Sequence, residues 1–313
     1  MKSVYFFCQD LDKDPVGYHV FKACQELFPM IPSGKTLDGL EAWMTSDERG
    51  NEYHFVLTSD TLSHIFDQTL ERIQELFPHP EFDFAVIVNW HGGNNAPDKV
   101  FAFHGVGHPA VAAFAPSNGC FMANIARHVA KGISSNAMLA DWRVAPEATH
   151  YSGIPYGCDA RKLETWQVPQ ADLEIGSSSD SWSHPAAARL LAETLIHIFD
   201  ETVPAPTSAL FVGGVHFEPT LQSLMINGDA KGTSYVFPHA LTYPWIVAEA
   251  EGVENIEDEL YRRVSAAFAA SVPKPSVIVF HDKAKSVLKN AAKRVAAEQM
   301  VDCVNHKNLK NQS

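Results

Sequence analysis

The chain has 313 residues, 46% of them hydrophobic and 19% charged, which is ordinary globular composition and enough length to bury a sizeable core. Its formal charge of −13, from 24 Lys and Arg against 37 Asp and Glu, excludes a generally sticky nucleic-acid binder, because phosphate contacts need concentrated cations. The five cysteines (Cys8, Cys24, Cys120, Cys158, Cys303) are odd in number and form no Cys-x-x-Cys pair, so reduced thiols in the cytoplasm are expected rather than a disulfide framework. No stretch approaches the ~20 apolar residues that a membrane span needs, and the first residues read as a strand, not a signal peptide.

Val4–Phe7 predicts a first strand, and a helix runs from about Val16 to Leu27, ended by Pro29 and Pro32. Residues 33–52 have no clear period and read as a surface excursion around a short strand. His54–Thr58 predicts a second strand. Leu62, Ile65, Phe66, Leu70, Ile73, Leu76 and Phe77 then recur at helical spacing over 60–77, with His64 and His79 given no role. Phe84–Val88 is a continuous apolar run, as in a strand covered on both faces, and opens onto Asn89-Trp90-His91-Gly92-Gly93-Asn94-Asn95. Val100–Phe103 delivers His104-Gly105-Val106-Gly107-His108, and 120–132 reads as a helix. Strands are expected at 142–150 and 171–176, followed by a helix over 185–202 that begins at Pro185. Further strands fall at Ala209–Val212, Tyr235–Phe237 and Val277–Phe280, with an acidic helix near 254–270 and a last helix over 283–299. That last helix aligns Lys285, Lys289 and Lys293, most simply a solvated basic face.

Strands alternating with helices predict a single α/β domain over 1–304, with a central, mostly parallel or mixed sheet flanked by helices and a disordered polar tail over 305–313. In such sheets the ligand site lies beyond the carboxyl ends of the strands. His91, His104, Glu147, His150, Glu174 and His216 all fall at or near such ends. Glu147-x-x-His150 places hard oxygen beside imidazole nitrogen, which is ligand chemistry for a zinc-like cation. Any one of these residues alone reads as a polar group at a loop mouth; their recurrence in one domain points to a shared site. Neither a Gly-x-Ser-x-Gly elbow nor a phosphate-binding glycine loop is present.

The ordered series Asn89-Trp90-His91, Phe103-His104-Gly105, Glu147-Ala148-Thr149-His150-Tyr151, Leu173-Glu174-Ile175-Gly176-Ser177 and Gly213-Gly214-Val215-His216-Phe217 resembles the zinc-containing D-aminoacyl-tRNA deacylases of the archaeal and plant type. The resemblance is best from about 84 to 220, and Glu-Ala-Thr-His followed by Glu-Ile-Gly-Ser is its specific part. Tyr151 stands where the family carries a second histidine, and Gly92-Gly93 replace hydroxyl-bearing neighbours of His91. Ser234 to Ala240 keeps only the proline of the family's C-terminal motif, with His239 in the place of its lysine.

The resemblance implies a zinc-dependent hydrolase that cleaves an aminoacyl ester with metal-activated water, using one or two Zn2+ ions. His91, His104, Glu147, His150, Glu174 and His216 are the expected ligands, with Glu147 or Glu174 as general base. Tyr151 is a candidate oxyanion donor, and His239 a candidate acid, base or extra ligand. The acidic charge and the altered C-terminal motif leave tRNA in doubt as a partner. A diverged enzyme acting on a small-molecule ester or amide, and a non-catalytic metal-binding protein, remain alternatives.

Overall fold

Period-2 alternation in the long apolar runs sets the architecture, because each such strand needs both of its faces covered. A computed structural model describes residues 1–93, 96–201, 205–248 and 253–309. It contains an eight-stranded mixed sheet. From one edge the order is Arg143–Pro146, Val100–Gly105, Gln170–Gly176, Phe84–His91, Lys2–Cys8, Glu52–Thr58, Leu40–Ser46 and Ile31–Leu37. The four strands from Gln170–Gly176 to Glu52–Thr58 are mutually parallel. Val100–Gly105 runs against them, and Arg143–Pro146 follows it in parallel.

One face of this sheet is closed by the helices Pro15–Leu27, Gly119–Ser135 and Pro185–Leu195, which bury Val20, Phe21, Ile125, Val129 and Leu191 against Val86, Leu173 and Phe103. The other receives the helix Leu62–Leu76, whose Leu62, Phe66, Leu70 and Ile73 recur every three to four residues and meet Val4, Phe6 and Ile87. Asp14 and Asn118 cap the first and third of these four helices in chain order… the caps being side-chain oxygens that accept from Gly17 N and from Cys120 N and Phe121 N.

A second, all-parallel sheet is centred on Thr207–Val212, flanked by Val277–Phe280 and Asp302–Asn305 on one side and by Tyr235–Val236 and Ala240–Leu241 on the other. Leu210, Val212 and Ile278 pack under the helices Ile256–Ala270 and Ser286–Gln299. Ala209, Phe211 and Val279 face the other way and share one core with the large sheet, so the two sheets form one α/β domain. Among the described residues, no helix is long and apolar enough to cross a membrane.

Several expected elements change. Residues 33–52 hold an antiparallel hairpin, Ile31–Leu37 with Leu40–Ser46, at the sheet edge. The expected strand over 142–150 ends at Pro146, and the helix expected over 185–202 ends at Leu195. The tail expected to be disordered from 305 is ordered through Leu309: Asn305 pairs with Phe280, and His306 is buried in a short 3-10 turn. Residues 310–313, and Asn94 and Asn95 of the glycine loop, lie outside the described residues.

Candidate metal centre

Strand alternation builds the site on one face of the large sheet rather than wholly beyond its strand ends. Residues two apart in a strand share a face. Asn89 and His91 therefore lie beside Glu174 and Gly176, which are their register partners, while His104 pairs with Asp172 across the antiparallel step. Glu174 is thus a mid-strand residue, not a strand-end one as expected. The opposite run of strand directions brings His91 and His104 to the cluster from opposing ends, and each falls in a ligand group with Glu147.

Glu147 and His150 arrive on a loop stitched to both sheets. Ala148 N donates to His216 O (2.9 Å), Thr149 N to Ala240 O (2.7 Å), and Gly107 N to His150 O (3.1 Å). Ala148 and Thr149 are buried, so in Glu-Ala-Thr-His the middle pair anchors the backbone while the outer pair faces the site. Two glycines permit the close packing. A Cβ on Gly105 would lie 2.3 Å from Pro238 O, and one on Gly176 would lie 2.6 Å from His91 Cβ.

The histidine tautomers follow from their outer contacts. Ser177 Oγ donates to Pro97 O (2.8 Å), so it accepts from His91 Nδ1 (2.7 Å). His104 Nδ1 donates to Gly105 O (3.1 Å), and His150 Nδ1 donates to Ala148 O (3.0 Å). Each ring is left with its Nε2 lone pair aimed inward, the arrangement that outer partners impose on metal-ligating imidazoles. The Trp182 indole N–H to His91 O (2.8 Å) fixes the backbone beneath His91.

Glu147 is the hub. Its Oε2 lies 2.5 Å from His216 Nε2 and 3.6 Å from His91 Nε2, while its Oε1 is buried with no hydrogen-bond partner. His104 Nε2 lies 3.7 Å from Glu174 Oε1 and 3.9 Å from Asp172 Oδ2, and is itself unpartnered, as are both Asp172 carboxylate oxygens. Ligand-capable atoms group as His91/Glu147/His216, His104/Glu147/His150 and His104/Asp172/Glu174, each within 4.8 Å. Glu147 belongs to two of these groups, and His104 to two.

Burial pushes Asp172 up to about 7, and burial with the nearby Glu147 charge pushes Glu174 well above the usual carboxylate range. Burial also acts to raise Glu147, but the neighbouring His216 and His91 imidazoles outweigh it and hold the carboxyl low. Burial acts to lower His91, and Glu147 reverses this to a net rise; burial and neighbouring His104 depress His150 to about 3. Buried carboxylates beside imidazoles, with Glu147 Oε1, both Asp172 oxygens and His104 Nε2 unpartnered, match the donor set of a zinc-like ion.

The cluster floors a cavity of about 310 Å³ whose lining includes Trp90, Tyr151, Tyr156, His64 and Glu174, and no lysine or arginine. The Tyr151 hydroxyl is buried with no hydrogen-bond partner, and burial raises its pKa far above the usual phenol value. His64, given no role from sequence, forms part of the wall and stacks on Tyr156 at 3.5 Å between ring centroids. The helical period of 62–76 places His64 off the apolar stripe but says nothing of the loop that covers it. Asp172 was legible: spaced i, i+2 from Glu174 in a strand, it must share that face.

His239 does not reach the cavity. It is fully buried, with Nδ1 against Thr149 Oγ1 (3.2 Å) and Nε2 against Ala115 O (3.2 Å), so it supports the Glu-Ala-Thr-His loop from behind. His108 lies in a two-residue strand and in none of the ligand groups found among the described residues.

The D-aminoacyl-tRNA deacylase family model matches residues 78–304, well over half of the chain, and the chain belongs to that family. A D-aminoacyl-tRNA deacylase of Pyrococcus horikoshii is 33% identical over 91 residues, covering 28% of this chain and 30% of that protein. One of Haloarcula marismortui is 24% identical over 213 residues, covering 63% of this chain and 44% of its own length. The chain therefore spans less than half the length of these relatives. The solved structure of a conserved protein of unknown function, AF0625, superposes with a TM-score of 0.74 at 17% identity, covering 100% of this chain and 97% of that one, so the fold is shared along the whole length.

Proposed function

We propose that the protein is a metal-dependent hydrolase that cleaves an aminoacyl ester, with D-aminoacyl-tRNA as the leading substrate. The observation that carries this reading is the set of inward-facing Nε2 atoms and buried carboxylates at the floor of the cavity, in a member of this family. His91, Glu147 and His216 would hold one zinc-like ion, and His104, Glu147 and His150 a second, with Asp172 beside His104. Such ions supply Lewis acidity and lower the pKa of water toward ~7. Glu147 has no exposed carboxylate face and would be a ligand rather than a base. Glu174 reaches the cavity, where with cations bound beside it the carboxylate would accept the proton of the attacking water and return it to the leaving oxygen. Tyr151 lines the cavity, and to act as oxyanion donor its buried hydroxyl would have to turn away from Cys158 toward the reacting oxygen. The free state of all five cysteines supports the cytoplasm as the compartment.

A cavity whose lining has no lysine or arginine among the described residues favours a second reading, a small-molecule ester or amide substrate. The deciding experiment uses protein never exposed to a nickel column, assayed for metal content and for hydrolysis of D-aminoacyl-tRNA beside a panel of free amino-acid esters and amides. Metal-dependent release of amino acid from tRNA that weakens with salt supports the first reading. Turnover of small esters or amides alone moves the assignment to the second. Absence of bound metal after zinc reconstitution overturns both.

A further inference from the structure

A second group of ligand-type side chains lies under the opposite face of the large sheet, where the helix Gly119–Ser135 meets the turn after the helix Pro185–Leu195. We propose that His128, His197 and Asp200 form an independent site for a zinc-like divalent cation that ties these two segments together.

The geometry converges on one oxygen. His128 Nε2 and His197 Nδ1 each lie 2.9 Å from Asp200 Oδ2, and the two rings stack with centroids 4.1 Å apart and planes 14° apart. Tetrahedral zinc with bonds of ~2.0–2.1 Å separates its ligand atoms by roughly 3.3 Å, so the cluster has only to open by a few tenths of an ångström. The three side chains are 29%, 42% and 33% exposed, which leaves the remaining position open to water.

The supporting contacts are already in place. Asn124, one turn before His128, donates to Ile198 O and Asp200 O, both at 2.8 Å. Tyr53 Oη donates to Ile196 O (2.8 Å), and Tyr5 Oη donates to Leu195 O (2.5 Å). Carbonyls at a helix C-terminus lack helical partners, and here side chains from the sheet and a neighbouring helix satisfy them. The turn that presents His197 and Asp200 is therefore fixed relative to His128 without a cation. Arg49 holds the other carboxylate oxygen, Asp200 Oδ1, at 2.9 Å and is itself paired with Asp47. That contact orients the carboxylate, and Asp47 offsets the guanidinium charge. Lys131 also acts on His128, and these are the cations the site must tolerate.

Zinc stoichiometry by equilibrium dialysis and elemental analysis tests the site, on full-length wild type and on the His128→Gln and His197→Gln variants. Each substitution is expected to remove one equivalent of zinc per chain and to leave ester hydrolysis unchanged. In a His91→Ala/His104→Ala background, added Co2+ is expected to give a visible absorption band that disappears with His197→Gln. Both substituted histidines are half-exposed, so at least one variant is expected to fold. Zinc stoichiometry equal to wild type in either folded variant overturns the proposal. Because activity is read separately, loss of the peripheral site and failure of the hydrolase reading are distinguishable.

Discussion

The two faces of one set of strands differ more than any two elements of the fold. In Gln170–Gly176, Leu173 and Ile175 are fully buried in the apolar core, while Asp172 and Glu174, which alternate with them, belong to the ligand cluster. Phe101 and Phe103 alternate in the same way with Ala102 and His104, and Val86 and Val88 with Ile87 and Asn89. One backbone therefore carries stability on one side and chemistry on the other. Closely packed apolar side chains stabilise the domain, whereas buried carboxylates without a cation cost free energy. The comparison predicts that substitutions on the two faces dissociate activity from stability.

The largest effect is expected from Glu174→Gln, which keeps shape and removes the proton acceptor. Turnover should fall about 10²–10⁴-fold. Thermal stability of the metal-free protein should hold, because burial and the Glu147 charge already favour the neutral carboxyl that Gln mimics. A melting temperature that falls with activity would show that the carboxylate is structural. One residue away, Leu173→Ala should do the reverse. A buried leucine truncated to alanine costs about 2–5 kcal/mol, read from urea denaturation, while turnover per folded molecule stays near wild type.

A smaller effect is expected one contact out. Ser177→Ala removes the acceptor that fixes the His91 tautomer, and such outer partners are worth about 10–100-fold in metal affinity. The apparent zinc dissociation constant of Ser177→Ala should rise by that factor with little change in folding stability. An unchanged constant would mean that His91 is oriented by Trp182 and Phe217 packing alone.

Much of this was legible in the sequence, and the illegible part has physical causes. The Glu147-Ala148-Thr149-His150 and Leu173-Glu174-Ile175-Gly176 segments announce themselves because polar ligands there interrupt apolar runs. Strand direction does not: nothing in Val100–Phe103 indicates that it runs against Gln170–Gly176, so the site's place over the sheet face could not be read. The edge hairpin Ile31–Leu37 and Leu40–Ser46 escaped because exposed edge strands with Pro32 and Gly34 carry little apolar alternation. His239 misled for the opposite reason. A motif position suggested function, while its two ring nitrogens are consumed by Thr149 and Ala115.

The smallest effect concerns the wall that the helix Leu62–Leu76 contributes to the polar face. His64 stacks on Tyr156 at the cavity, held by Asp60 Oδ1 at 3.3 Å, and neither residue belongs to a ligand group. If the pair binds substrate without touching the reacting atoms, its loss weakens ground state and transition state alike. Aromatic pairs are worth about 0.5–1.5 kcal/mol, so Tyr156→Ala should raise KM by roughly 2–10-fold and leave kcat unchanged. His64→Ala should act in the same direction and more weakly, since Tyr156 remains. Zinc content should match wild type in both variants. A fall in kcat with unchanged KM would instead bring the pair into the chemistry, and would move the boundary between binding wall and reacting floor one residue layer outward.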